Sequence, residues 1–279
     1  MTETASGVTC IIPTHSRPDF LGEAIDSVLR QTVTPARIIV VSDIECSDSE
    51  HVVAERAEAN PVPLVYVTRK GRPGASASRN AGAAQAGTEL LAFLDDDDVW
   101  EPDYLASALP LLSRGSTAAT VSSFYRFDGS GKTGENHPRE GQTAESAFRR
   151  SPVVTGSTIV IRASAFLVLS GYDEDLPVMN DTDFFLRFLE NGFSYVVLRQ
   201  PLVGVRKHAG GQLTDNTRRR FDGGWEFIRK HEKKFGWRAA RPRKYYQYRM
   251  LWRMKDASAV ERGKALLNIL LFLSRSPRS

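Results

Sequence analysis

Phe93-Leu94-Asp95-Asp96-Asp97-Asp98-Val99-Trp100 is the stretch on which the reading of this chain turns. Four consecutive carboxylates close the apolar run Leu90-Leu91-Ala92-Phe93-Leu94, whose pattern predicts a buried strand. Adjacent like charges disfavour each other's ionisation, so a fold tolerates such a cluster best around a cation. Mg2+ and Mn2+ take carboxylate oxygens and leave positions open for phosphates. The run therefore marks a seat for a metal carrying a diphosphate. The plainer alternative is a solvated acidic turn before a helix at Pro102.

Outward from this run, apolar strands are predicted at 8–12, 38–41 and 64–67, besides 90–94. Helices are predicted at 20–29, with Asp19 as cap, at 51–60 and at 75–86. This alternation implies an α/β sheet of mostly parallel strands, in which ligands collect outside the carboxyl ends. The polar residues after the strands, 14–17, Asp43 and 95–98, are thus placed to share one crevice. Beyond Thr120 the pattern loosens. A polar segment at 129–141 reads as a mobile loop, and strands are expected at 157–161, 194–198 and 202–205. A helix is expected over 181–189, with Asp181 or Asp183 near its start.

Composition is that of a globular protein, 41% hydrophobic and 25% charged over 279 residues, enough for a full core. Charge is uneven: residues 217–279 hold 18 Lys and Arg against 5 Asp and Glu, whereas the body is acidic. A basic, aromatic, mainly helical tail suggests an anionic partner. Ordinary helix packing and contact with a membrane surface are both open for its Trp and Tyr residues. The apolar run 265–273 is too short to span a bilayer; docking on the body, pairing with a second subunit and lying in a membrane interface stand level. The polar start, 1–7, has no apolar core of a secretory signal. Cys10 and Cys46 give no disulfide framework and read as reduced core thiols of a cytoplasmic protein.

Four stretches together resemble the family 2 glycosyltransferases. Ile11-Ile12-Pro13-Thr14-His15-Ser16-Arg17-Pro18, with 24–32, is similar to the family's opening strand and helix. Gly74-Ala75-Ser76-Ala77-Ser78-Arg79-Asn80-Ala81-Gly82 is similar to its Ala-Arg-Asn-x-Gly helix. Residues 93–100 match its DxD region. Gly171-Tyr172-Asp173-Glu174, then Asn180-Asp181-Thr182-Asp183-Phe184-Phe185-Leu186-Arg187, resembles its acceptor-side motif.

The resemblance implies a GT-A fold: a Rossmann-like, mostly parallel central sheet flanked by helices, with a helical C-terminal extension. It implies a catalytic domain over 1–216, its nucleotide-sugar half at about 8–100 and its acceptor half at about 101–216, followed by the extension at 217–279. The implied activity is metal-dependent, inverting transfer from a nucleoside-diphosphate sugar, UDP- or dTDP-linked, to an acceptor hydroxyl. Glycan, lipid-linked and small-molecule acceptors are all open.

By the same resemblance Asp97 and His208 are candidate ligands for Mn2+ or Mg2+. Asp95, with Asp96 as rival, would bind ribose or a metal-bound water. Asp43 would accept from the base imide N–H, although Ser42-Asp43-Ile44-Glu45 departs from the usual Asp-Asp-Gly-Ser. Arg17 and Arg79 would reach the diphosphate or the base, with an ion-pair partner as the plain alternative for Arg79, and Pro13 and Thr14 would contact the base through their backbone. Asp181 is the candidate general base. Asn180 stands where Glu is usual, and Asp183 is the nearest substitute. A helix cap is the plain alternative for Asp181, and a surface turn for His208. Implied partners are the donor and acceptor, peripheral membrane contact at the inner face through the extension, and a homodimer, with no nucleic acid. Two rivals are a sugar-nucleotidyltransferase, whose Gly-rich triphosphate loop is missing at 13–18, and a nucleic-acid-binding protein, against which the acidic body argues.

Overall fold

The computed structural model describes residues 6–113, 116–207 and 217–274. Its first half alternates β1 (Ser6–Thr14), α1 (Pro18–Leu29), β2 (Pro35–Ser42), α2 (Ser47–Ala59), β3 (Leu64–Thr68), α3 (Ala75–Ala84) and β4 (Leu90–Phe93). Strand β1 runs parallel to both β2 and β4, and β2 parallel to β3. The order β3-β2-β1-β4 reverses direction between β1 and β4. In open α/β sheets the ligand crevice lies where the strand order switches, which here is outside the carboxyl ends of these two strands. Helix α1 begins at Pro18 with Arg17 at the cap position, so Asp19 lies in its first turn and is not the cap.

Helix α3 lies close on this sheet because Gly82 has no side chain. A Cβ there would sit 2.5 Å from Ile11 Cγ2 and 3.2 Å from Val41 Cγ2. We expect Gly82→Ala to destabilise the protein by about 1–3 kcal/mol through overpacking. An unchanged denaturation midpoint would show that α3 can lift off the sheet at no cost.

The second half comprises β5 (Val99–Trp100), α4 (Tyr104–Leu112), β6 (Thr117–Asp128), β7 (Gly131–Asn136), α5 (Ala144–Arg150), β8 (Ile159–Arg162), α6 (Ala163–Val168), α7 (Asn180–Glu190) and β9 (Ser194–Arg206). Strand β8 joins the halves, antiparallel to both β4 and β6. Parallel pairing returns between β6 and β9, while β5 and β7 add antiparallel edges. The sheet is thus parallel in the first half and mixed in the second.

Two expectations change here. The segment 129–141 is not simply a loop, because β7 turns back on β6 as a hairpin. The two strands expected at 194–198 and 202–205 are one strand, β9, which passes Pro201 where its register against β6 shifts.

Beyond residue 216 the chain forms α8 (Arg218–Arg253), kinked at Gly236, and α9 (Ala259–Ser274). Phe227, Ile228, Ala239 and Ala240 of α8 share a core with Phe148 of α5 and Leu186 of α7. Buried Arg243 donates to the Phe148 and Ala147 carbonyls. The first part of the basic extension is therefore packed on the body. Among the described residues no helix is long and apolar enough to cross a membrane. Cys10 is buried, but Cys46 is partly exposed at the cap position of α2, not in the core.

Candidate active site

The acidic run forms a turn at the end of β4, and its carboxylates alternate in role. Asp96 and Asp98 are 6% and 4% exposed, whereas Asp95 and Asp97 are partly open. Asp96 accepts from the Thr14 hydroxyl at 2.7 Å and from the His15 N–H at 3.3 Å, which ties the turn to the end of β1. Burial pushes its carboxyl up to about 6. Asp98 accepts from the Ser157 hydroxyl at 2.6 Å and from the Arg206 N–H at 3.0 Å. It links the turn to the second half, and burial with the neighbouring Asp95 and Asp97 charges raises its carboxyl well above the usual range.

Ser157 is the hub of this turn. Its hydroxyl also accepts from the Asp95 N–H, and its carbonyl accepts from the Trp100 ring N–H at 2.9 Å. Trp100 is 3% exposed and packs beneath the acidic turn.

Two arginines pair with carboxylates of the run, and a third, Arg206, donates from Nε to the Asp97 carbonyl at 2.9 Å. Arg17 Nη1 lies 2.9 Å from Asp97 Oδ2 and 3.5 Å from Asp96 Oδ1. Arg79, only 4% exposed, donates to Asp95 and lies 3.8 Å from Asp181 Oδ1. Its guanidinium rests over the Tyr172 ring, 5.0 Å from the centroid. A side chain at residue 156 would strike it, since a Cβ on Gly156 would lie 2.9 Å from Arg79 Nη2. Arg79 is therefore a buried cation held between Asp95 on the first half and Asp181 on the second.

Asp181 lies in the first turn of α7, but it is not the cap. That position is held by Met179 in a left-handed conformation, φ 61°, without a side-chain cap. Asp181 Oδ1 is buried and has no hydrogen-bond partner. Burial pushes the carboxyl up to about 6; Arg79 and the Gly156 N–H oppose the shift, and Asp95 adds to it. Asp183 does not supply the second carboxylate. It points the other way, is fully buried, and accepts from Arg187 Nε at 2.8 Å, Lys230 Nζ at 2.5 Å and His231 Nε2 at 2.8 Å. Asn180 donates to Ser76 Oγ and the Leu176 carbonyl, so it anchors α7 to α3.

At the end of β2, Asp43 accepts from the Gly74 N–H at 2.7 Å and lies 2.5 Å from His15 Nδ1. Pro13 and Thr14 are buried in β1 beside it. Asn80 joins α3 to the 171–174 segment through the Tyr172 backbone and Glu174 Oε1. The structure thus gathers Thr14, Arg17, Asp43, Arg79, 95–98 and Asp181 around one crevice; His208 lies outside the described residues. Sequence reasoning placed His15 and Asp98 in the crevice without giving either a role, and it missed Gly156 and Ser157 as organisers of the site. The consecutive small polar residues Thr155-Gly156-Ser157-Thr158 were the signal available for these two.

Residues 9–170 match the family described as Glycosyl transferase family 2. The chain belongs to that family. As a family 2 glycosyltransferase it is an enzyme that transfers glycosyl groups. It is 27% identical to a putative colanic acid biosynthesis glycosyl transferase of Escherichia coli, over 93% of this chain and 95% of that protein. It is also 27% identical to an uncharacterized glycosyltransferase of Haemophilus influenzae, over 80% of this chain and 76% of that protein. The fold resembles that of Staphylococcus aureus TarS solved with UDP-GlcNAc, with a TM-score of 0.62 at 18% identity, covering 96% of this chain and 73% of that one. A mannosyltransferase of Pyrobaculum calidifontis, in complex with GDP-Man and Mn2+, gives a TM-score of 0.64 at 17% identity over 98% of this chain and 82% of that one. Both likenesses are to GT-A glycosyltransferases, and family membership sets aside the nucleotidyltransferase and nucleic-acid readings.

Among the described residues, no group of three or more His, Cys, Asp or Glu side chains is arranged to enclose an ion. Asp95 and Asp97 are the two partly open carboxylates of the turn, and each is paired with an arginine, Asp95 with Arg79 and Asp97 with Arg17. Such a pair of carboxylates fits a hard cation that keeps its other positions for water and phosphate.

Proposed function

We propose that this enzyme moves a sugar from a UDP- or dTDP-sugar to an acceptor hydroxyl with inversion at the anomeric carbon, in the presence of Mn2+ or Mg2+. The observation that carries the reading is Asp181: a carboxylate without a hydrogen-bond partner on Oδ1, raised to about 6 and held next to the Arg79–Asp95 pair. A base poised near neutral pH can take the acceptor's proton as its oxygen bonds to the anomeric carbon. The bond from that carbon to the diphosphate breaks at the same time, and the nucleoside diphosphate leaves. Arg17 and Arg79 place positive charge where the leaving group becomes more negative.

Asp97, with Asp95 or His208, would hold the divalent cation, which when bound supplies charge neutralisation to the diphosphate. Asp96 keeps β1 and the acidic turn in register beneath the donor. Asp43 would accept from the imide N–H of a uracil or thymine ring in place of its present contact with the more exposed His15. Relatives named for colanic acid and for amylovoran biosynthesis favour an acceptor in a cell-surface polysaccharide.

The test is nucleotide binding with and without metal. UDP or dTDP should raise the melting temperature more with Mn2+ or Mg2+ than with EDTA, because binding to the native state stabilises it. Asp97→Ala should abolish the metal-dependent part. Equal stabilisation in EDTA would sink the metal reading, and a larger effect from GDP would sink the assignment of the base.

A further inference from the structure

Helix α9 buries one face and leaves the other apolar. Its inner side packs on α8, where Ala265 is fully buried and the Phe272 ring meets Tyr245 and Tyr248. Its outer side carries Val260, Leu266, Leu267 and Leu270, exposed by 68%, 45%, 59% and 55%. At 100° per residue these four fall within about a third of the circumference, opposite Ala265 and Phe272. Exposed Arg262 and Lys264 border that stripe on its two sides. The preceding end of α8 and the turn add exposed Arg249, Trp252, Arg253 and Lys255.

We propose that α9 and this turn seat the enzyme on an anionic lipid surface. An apolar helix face bordered by Lys and Arg is the pattern of a helix lying in a membrane interface, with its leucines among the acyl chains and its cations at the headgroups. An exposed Trp beside it suits the same boundary. Charge decides against a second copy of this chain. A second copy of this chain would bring the border no excess of opposite charge, because its own α9 border and 249–255 segment are likewise predominantly basic. An anionic bilayer supplies the opposite charge along the whole border. This proposal stands apart from the donor and the mechanism proposed above.

The experiment is co-sedimentation of the full chain with vesicles of phosphatidylcholine alone or mixed with phosphatidylglycerol. Binding to the anionic vesicles is expected, falling as salt rises from about 0.1 to about 0.5 M because headgroup charges are screened. Leu267→Gln with Leu270→Gln, both at exposed positions, should weaken binding by about tenfold or more at an unchanged melting temperature. Arg253→Glu with Lys255→Glu should remove the preference for anionic vesicles. Three results would each overturn the proposal: no pelleting with either vesicle, equal pelleting with both, or a solution dimer that the leucine substitutions dissociate.

Discussion

Replacing Asp181 by Asn is expected to lower kcat by about 10²–10⁴-fold, the usual worth of a general base. A base acts mainly in the transition state, so donor affinity should stay near that of the parent enzyme. Folding is not at risk, because Met179 and not Asp181 holds the cap of α7. Stability should even hold or rise. The Asp181 carboxyl is raised to about 6, so burial, against the opposing effect of Arg79, favours the protonated form over the charged one. In the unfolded chain an aspartate ionises near pH 4, so the folded protein loses stability as pH rises from there through about 6. A neutral Asn is spared that loss. The same shift fixes the acid limb of the pH profile. Since the base must be ionised, kcat should fall below about pH 6 in the parent enzyme, and the Asn variant should lack that limb. A variant with normal turnover and an unchanged pH profile would remove Asp181 from the mechanism. The anomeric configuration of the product would then have to be determined.

Asp183→Ala should have the largest effect on stability. Its carboxylate is fully buried and accepts from three side chains, two of them on α8. Removing one member of a buried ion cluster leaves the remaining charges uncompensated and typically costs about 3–5 kcal/mol. For a chain of this size the melting temperature should drop on the order of 10 °C. The pH dependence follows from the direction of the shift. Burial alone would raise the Asp183 carboxyl, but His231, Lys230 and Arg187 outweigh it and hold it at about 2. Its contribution is therefore fully present above about pH 4 and is lost as pH falls through about 2. Because α7 also carries Asp181, sugar transfer should decline with the loosened helix. A variant that melts like the parent would show that α8 is held by its apolar core alone. That core makes cutting the chain after residue 216 destructive, since Phe227 and Ile228 would leave Phe148 and Leu186 uncovered.

Several parts of this protein are legible in its sequence alone. The strand-helix alternation of the first hundred or so residues showed through because each strand there is a short apolar run and each helix has its own period. The acidic run was legible because four carboxylates in sequence have few physical uses. The segments around Arg79 and Asp181 stand out as local motifs, and the structure brings the two side chains within 3.8 Å. The second half was harder. Strand β6 is buried along most of its length yet rich in Ser, Thr and Ala, so it lacks the apolar signature of a central strand. The turn 129–130 sits in polar sequence that reads as a loop until β6 is there to pair with β7.

By itself the sequence determined the parallel half-sheet, the chemistry available at its carboxyl ends and the basic character of the extension, since each is written in neighbouring residues. Only the tertiary structure decided the surroundings of each carboxylate. Asp95 and Asp96 are adjacent and chemically identical, yet one faces Arg79 and the crevice while the other is buried under Thr14. Asp181 and Asp183 are two residues apart, yet one is raised by burial and the other held low by three donors. The energy of a charge depends on the water and the charges around it, and those are supplied by residues far along the chain.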